Sequence, residues 1–140
     1  MRKRFIRVSA IIFVLVVLLS SVAFASLDAS KYLSSYGAYI SKTGNTIEIH
    51  FDVVGTGIMD QIGSTEIYLY ERANSSGSWT LVKTYLSTNP AYASAMMDSY
   101  ASFKDDYVSY SGSSSYQYMA YITVYAEKNG GSDSRGIIAS

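Results

Sequence analysis

The sequence predicts an all-β protein, a seven-stranded antiparallel Greek-key β-sandwich that follows an N-terminal signal peptide. Three observations support this fold class. Apolar and polar residues alternate with a period of two in several segments, the stretches between them are rich in Gly, Ser and Asn, and no segment after residue 25 shows sustained helical periodicity. Seven short strands with a single long connection are the pattern of a Greek-key sandwich.

The first hairpin contains the clearest strand of the chain. Residues 38–40 and 46–54 form two extended segments, and Lys42-Thr-Gly-Asn45 supplies the turn between them. Within 46–54 the apolar side chains share one face and the polar ones the other: Ile47, Ile49, Phe51 and Val53 against Glu48, His50 and Asp52. Such a strand belongs to an antiparallel sheet with one face on a core and one in water.

The middle of the chain predicts a second hairpin and then the long connection. Residues 66–70 and 79–86 are strand candidates on either side of the polar loop 73–78. Residues 89–103 hold the only proline of the chain, Pro90, among small and flexible side chains. We therefore expect a long crossover with one helical turn in this segment.

Three further strands are predicted at residues 107–110, 116–127 and 135–139, and glycine-containing turns join them. The central one alternates over twelve residues, so that every second side chain should face the core. The expected inward set is Tyr116, Tyr118, Ala120, Ile122, Val124 and Ala126. The opposite phase places Met119, Tyr121 and Tyr125 on the outer face.

Residues 1–25 have the three parts of a secretory signal peptide. Four basic residues lie before position 8, residues 10–19 are continuously apolar, and Ala23-Phe-Ala25 is the small-x-small pattern that signal peptidase cleaves. The alternative is an uncleaved membrane anchor, for which the apolar stretch is barely long enough. We expect cleavage after Ala25, a short lead-in over 26–34, one domain over 35–140, and a secreted protein that meets the membrane only during export.

The charge balance and the absence of cysteine exclude several classes of function. The chain has 11 Lys+Arg, 11 Asp+Glu, one His and no Cys, and the 115 residues after Ala25 carry 7 basic and 11 acidic groups, a formal net charge of −4. Nucleic acid is not an expected partner, because there is no basic patch to displace counterions from phosphates. Disulfides, thiolate metal sites and a cysteine nucleophile are excluded. We expect no cofactor.

Two resemblances to known families rest on particular segments. Residues 116–126, followed by a glycine turn and a final strand, resemble the last two strands of fibronectin type III and immunoglobulin-like modules, in which a tyrosine near the start of the penultimate strand forms a tyrosine corner. A wider set of segments resembles a family of small secreted Gram-positive proteins without an assigned function. These segments are Tyr36–Ile40, Gly44–Val53, Gly55–Gly63, Ile67–Glu71 and Tyr118–Ala126. The second resemblance implies export and fold and assigns no functional residue.

His50 is the only histidine, so any Ser-His-Asp or Zn–His chemistry must use it. It lies between Glu48 and Asp52 on the polar face of its strand. Residues two apart on a strand are about 6.6 Å apart, which is too far for all three side chains to close on one ion. A solvated strand face with cross-strand charge pairs is the favoured interpretation, and a weak two-ligand site is the alternative.

The acidic residues and the glycine turn give weaker signals. Asp105 and Asp106 are adjacent, so on a strand they point to opposite faces and are unsuited to a two-acid hydrolase site. With Asp98 they could line a loose Ca²⁺ site, but the ligand spacing of a calcium loop is missing. Gly55-Thr-Gly57 follows a strand without a helix after it, so it lacks the helix N-terminus that a phosphate-binding turn needs. No metal site is predicted.

Outward aromatic side chains are the only feature with functional weight. Tyr68, Tyr70, Met119, Tyr121 and Tyr125 would form a flat platform if they shared one face of a sheet, suited to stacking on a sugar or packing on a protein. The alternative is cross-strand tyrosine pairing that only stabilises the sheet. We interpret the protein as a non-catalytic extracellular binding module for a glycan or protein partner. The alternative function is a small secreted hydrolase that uses His50.

Overall fold

The computed structural model describes residues 30–140, which form antiparallel β-strands and a single helical turn. The elements are β1 (Leu33–Thr43), β2 (Thr46–Arg72), β3 (Thr80–Leu86), α1 (Ala93–Met96), β4 (Met97–Ser111), β5 (Gln117–Lys128) and β6 (Gly131–Ala139). The predicted all-β antiparallel class is confirmed. The predicted signal peptide and the first four residues of the predicted lead-in, 26–29, lie outside the described residues, and β1 begins within the predicted lead-in at Leu33. Within residues 30–140, no helix has the length and apolarity needed to cross a membrane.

Strand β2 is the central strand, and it pairs with four of the other five strands. Its first half pairs with β1 and β4, and its second half pairs with β5 and β3. At Gln61 and Gly63 it pairs with β4 and β5 at once, so β1 and β5 follow one edge of β2 while β4 and β3 follow the other. Strand β6 pairs with the edge of β5 that faces away from β2.

The predicted number of seven strands is wrong, because two of the predicted strands are parts of β2. Residues 46–54 and 66–70 belong to one strand of 27 residues. The intervening Gly55–Gly63 segment stays extended and absorbs its irregularity in shifts of register, between Val54 and Met59 against β4 and between Ser64 and Glu66 against β5. Bulges of this kind bend a strand without ending it. The result is one curled six-stranded sheet, a half-barrel, and not a sandwich of two separate sheets.

The predicted long crossover over residues 89–103 is also corrected. It contains the expected helical turn, α1, but β4 begins directly after it at Met97 and continues to Ser111. The first residues of β4 pair with Gln61, Ile62 and Gly63. This pairing extends the strand into a segment whose own sequence lacks alternation, because backbone hydrogen bonds to a neighbouring strand override weak local propensity.

Curling of the sheet turns the inner faces of its two halves toward one apolar core. Most of the core side chains come from β2 and β5, and the fully buried ones include Ile47, Ile49, Phe51, Val53, Ile62, Ile67, Leu69, Ala120, Ile122, Val124 and Ala126. The Tyr85 hydroxyl of β3 donates to the Ser109 carbonyl of β4 at 2.8 Å. The Thr56 amide donates to the Tyr32 carbonyl at 3.0 Å. The first bond joins strands that pair with different halves of β2, and the second continues the pairing of β1 with β2 beyond Leu33 and Gly55.

The predicted facing of the two clearest strands agrees with the structure, except at one residue. The four apolar residues predicted inward in 46–54 are buried, and so are five of the six predicted inward in 116–127. Tyr116 is the exception: it lies before β5 begins at Gln117 and is 37% exposed. Alternation holds only where a strand is paired on the sheet, and Tyr116 belongs to the preceding turn.

Candidate functional site

The register of β2 and β5 places four of the predicted surface residues side by side. Tyr68 lies directly opposite Tyr121, and Tyr70 lies directly opposite Met119. Their chain neighbours Ile67, Leu69 and Ala120 are buried, so these four side chains are on the outer face of the sheet. We call Tyr68, Tyr70, Met119 and Tyr121 the tyrosine face. Directly opposite residues are close enough for their side chains to make contact.

Two flanking strands extend the tyrosine face with apolar side chains. On β6, Ile138 lies opposite Tyr121 and is 67% exposed. On β3, Leu81 lies opposite Tyr70 and is 48% exposed. The Tyr121 ring lies across Gly136 so closely that a Cβ atom at that position would collide with its phenol. The missing side chain of Gly136 therefore lets the Tyr121 ring lie over β6, and the apolar surface spans four strands.

Tyr125, the fifth predicted surface residue, lies apart from the tyrosine face. It is four residues beyond Tyr121 on β5, about 13 Å along the strand, and it pairs with Gly63. Its hydroxyl donates to Glu127 Oε2 at 2.5 Å, and this bond is the main reason that the pKa of Tyr125 is raised. Tyr125 lines a groove of about 670 Å³ together with Gln61 and Met97, and none of the four residues of the tyrosine face lines this groove. The register thus separates it from the other four.

Glu66 raises the pKa of Tyr68. The charge of Glu66, two residues away on the same face, raises the pKa of the Tyr68 phenol above the ordinary 10.0, and burial and a hydrogen bond with Glu66 add to the effect. The proton of the Tyr68 hydroxyl is therefore engaged by Glu66.

His50 is packed between two tyrosines on the outer face of the other half of the sheet. Tyr39 and Tyr107 are its direct partners on β1 and β4. The Tyr39 ring stacks on the imidazole with centroids 4.5 Å apart and planes at 4°, and the Tyr107 ring lies 5.0 Å away on a tilted plane. His50 Nε2 is 3.1 Å from Glu48 Oε2, and the histidine side chain is 19% exposed. Both ring faces and one nitrogen are thus occupied.

The acidic residues surround a lysine. Lys104 is 6% exposed, and its Nζ donates to Asp98 Oδ1 at 3.2 Å, to Asp106 Oδ2 at 3.0 Å and to the Ser94 carbonyl at 2.8 Å. Its ammonium stands where a cation bound by Asp98 and Asp106 would be, and Asp105 is exposed. Among residues 30–140, no group of three or more metal-binding side chains is close enough to hold an ion. The cluster fixes α1 to β4.

The Gly55-Thr-Gly57 segment, considered above as a phosphate-binding turn, is part of β2. Gly55 is buried and paired with Leu33, and a side chain there would collide with Met59 and the Gly57 carbonyl. Close approach of the bulged strand to itself explains the glycine.

Comparison of the chain with protein-family models, with curated proteins and with solved structures gives no match.

Proposed function

We propose that the protein is an exported, non-catalytic binding protein whose tyrosine face holds a protein partner. The observation that carries this proposal is the register that sets Tyr68 against Tyr121 and Tyr70 against Met119 on the outer face. Aromatic side chains give a large contact area for little loss of conformational entropy, so they anchor interfaces. Export rests on the three-part signal pattern of residues 1–25.

The margin of the tyrosine face favours a protein over a glycan. A sugar stacks on an aromatic ring and needs polar side chains around it to bind its hydroxyl groups. Here Leu81 and Ile138, which are 48% and 67% exposed, widen the apolar surface, and the polar side chains beside Tyr68 are Glu66 and Thr84 at its margin. Aliphatic and aromatic side chains together, with neutral phenols at their edge, match the central part of a protein interface.

The environment of His50 supports a non-catalytic role. A histidine acts as a general base through a ring nitrogen in the plane of the imidazole, and the Tyr39 and Tyr107 rings that cover its faces hold that plane fixed. The remaining polar contact is with Glu48, which is also on β2. The alternative, a small hydrolase that uses His50, would need a nucleophile hydrogen-bonded to the imidazole, and among residues 30–140 the imidazole hydrogen-bonds with Glu48 alone.

We propose a local resemblance to immunoglobulin-like modules that is confined to the turn before β5 and the start of that strand. Support comes from Tyr118, at the start of β5: its hydroxyl accepts from the Ser113 amide at 2.6 Å and donates to the Ser113 carbonyl at 3.2 Å. A tyrosine that bonds back to the backbone a few residues upstream is the arrangement of a tyrosine corner. It anchors the turn that leads into β5.

The test is partner capture with the full chain, followed by affinity measurement on the captured protein. Full-length wild type, Tyr121→Ala and Met119→Ala would be immobilised and exposed to cell-surface and secreted proteins of the producing organism. We expect each substitution to weaken binding of the identified partner by about 1–3 kcal/mol, the range of interface anchors. Tyr39→Ala, which removes a 57% exposed tyrosine from the other half of the sheet, is the matched control and should leave the affinity unchanged.

Stability must be measured on the same variants. If the loss of binding follows the loss of folded protein, the tyrosines only stabilise the sheet. Binding to a glycan array that depends on Tyr121 would replace the protein partner by a sugar. A His50→Ala variant that abolishes a hydrolytic activity would overturn the non-catalytic proposal.

A further inference from the structure

A second candidate site, independent of the tyrosine face, lies where β2 ends and β5 begins. Arg72 is the last residue of β2, and Gln117, its partner, is the first of β5. A cavity of about 410 Å³ opens beside them. Its described lining residues are Ile40, Lys42, Arg72, Trp79, Tyr116, Gln117, Tyr118 and Ser140. We call it the arginine–tryptophan cavity, and its volume is within the range of small-molecule sites.

The guanidinium of Arg72 is held rigidly in this cavity. Its Cζ lies 4.3 Å from the centroid of the Trp79 ring, its Nε donates to Gln117 Oε1 at 2.8 Å, and its Nη1 donates to the Ser75 carbonyl at 3.2 Å. These bonds use two of the five N–H donors of a guanidinium. A fixed arginine with donors to spare can bind a carboxylate with little loss of side-chain entropy.

Lys42 brings a second positive charge to the lining. Its Nζ donates to the Ser114 carbonyl at 2.9 Å and to the Tyr116 carbonyl at 3.1 Å, which leaves one of its three donors. Both acceptors are neutral carbonyls, so the positive charge of the ammonium is not compensated by them. No aspartate or glutamate side chain is among the described residues that line the cavity, and the α-carboxylate of Ser140 is a single negative charge against the two positive charges of Arg72 and Lys42. Glu71 is nearby and contributes to the raised pKa of Tyr118, but it is outside the lining.

We propose that the arginine–tryptophan cavity binds a small ring compound that carries a carboxylate. Arg72 and Lys42 supply the charge complementary to the carboxylate, and the Gln117 amide, whose oxygen is taken by Arg72, directs its N–H₂ group as a further donor. The Trp79 and Tyr116 rings and the Ile40 side chain supply the apolar surface for the ring. Aromatic rings stack on the faces of sugar rings and of aromatic rings alike, so a sugar acid and an aromatic acid share the chemistry required.

The test is calorimetric titration of the full chain with four probes: glucuronate, benzoate, glucose and acetate. We expect saturable binding of at least one ring carboxylate and clearly weaker binding of glucose, which lacks the charge, and of acetate, which lacks the ring. Glucuronate alone would identify a sugar acid as the ligand class, and benzoate alone an aromatic acid. Trp79 is the only tryptophan, so a change in its fluorescence on addition of glucuronate reports binding at the cavity itself.

Variants separate this site from the surface and from the tyrosine face. Arg72→Gln should weaken binding of the ring carboxylate at least about tenfold, the loss expected for a charge-assisted hydrogen bond. Lys42→Met, a second variant that leaves the stacked Arg72 in place, should also weaken it. Arg135→Gln, which removes a β6 arginine outside the cavity, and Tyr121→Ala should bind as wild type does. Equal binding of acetate and the ring carboxylates, unchanged binding by both cavity variants, or no saturable binding of either ring carboxylate would each overturn the proposal.

Discussion

Replacing Gly63 by alanine should destabilise the protein far more than replacing Gly130. Both glycines have a positive φ, +150° for Gly63 and +80° for Gly130, so both substitutions strain the backbone. Their surroundings differ. A Cβ at Gly130 meets nothing within 4 Å, whereas a Cβ at Gly63 would overlap the Met96 carbonyl oxygen and lie 3.0 Å from Met97 Cα.

The expected magnitudes follow from this difference. The shared conformational strain costs about 1–3 kcal/mol, with Gly130 in an open turn at the lower end. At Gly63 the new methyl group must also push back the backbone where β4 begins, and overpacking of this kind adds about 1–3 kcal/mol. Gly63 pairs with both Met97 and Tyr125, so the displacement also weakens backbone hydrogen bonds. We expect about 1 kcal/mol for Gly130→Ala and about 3–5 kcal/mol for Gly63→Ala.

Urea unfolding followed by the fluorescence of Trp79 measures both free energies of unfolding. Gly44→Ala is a further control, because Gly44 has φ +60° and, like Gly130, an empty surrounding. The three variants therefore separate conformational strain from steric overlap. Equal destabilisation at all three positions would refute the close approach of β4 to Gly63, and with it the pairing of β2 with two strands at that point.

Four further substitutions test the core and its outer face, the lysine cluster and a buried phenol. Ile122→Asp should unfold the protein, because an unpaired carboxylate replaces a fully buried side chain, whereas Glu48→Lys should cost about half a kcal/mol; circular dichroism distinguishes them. Lys104→Ala should cost about 2–3 kcal/mol in denaturant melts, less than a fully buried ion pair, because its two aspartate partners are 45% and 35% exposed. Burial raises the pKa of Tyr85, so the native state holds this proton more tightly than the unfolded chain and stability should fall as pH rises above about 10. Tyr85→Phe should make that fall shallower in melts at several pH values, and a slope as steep as that of wild type would contradict the assignment.

The local alternation of apolar and polar residues was sufficient to predict the fold class and which face of each paired strand is buried. Period-two alternation identified the buried sides of residues 46–54 and of β5, because burial on one face imposes that period. It could not show that residues 46–54 and 66–70 are continuous. The Gly55-Thr-Gly57 segment was interpreted as a turn after a strand, but glycine also serves where a strand bends and another backbone comes close. Which use applies depends on the neighbouring strands, which the local sequence does not contain.

Locating the candidate sites required the register of the paired strands, which local sequence patterns do not reveal. Alternation predicted that Tyr68 and Tyr121 are both outward, but only the pairing of β2 with β5 shows that they are adjacent while Tyr125 is apart. No local sequence pattern indicates the arginine–tryptophan cavity, because Lys42, Arg72 and Trp79 come from separate segments. The stacking of His50 between tyrosines of β1 and β4 is likewise a property of the assembled sheet.

The length of β2 affects which strands of the sheet can unfold locally in solution. Both halves of the sheet are built on the same 27-residue strand, and most of β2 has a paired strand on each of its edges. Amide protons of β2 should therefore exchange with deuterium only through global unfolding, with similar protection from Ile47 to Leu69. Strands β1, β3, β4 and β6, each of which pairs with a single strand, should exchange earlier. Local fluctuations are thus confined to the margins, and the two outer faces are held on one cooperative unit.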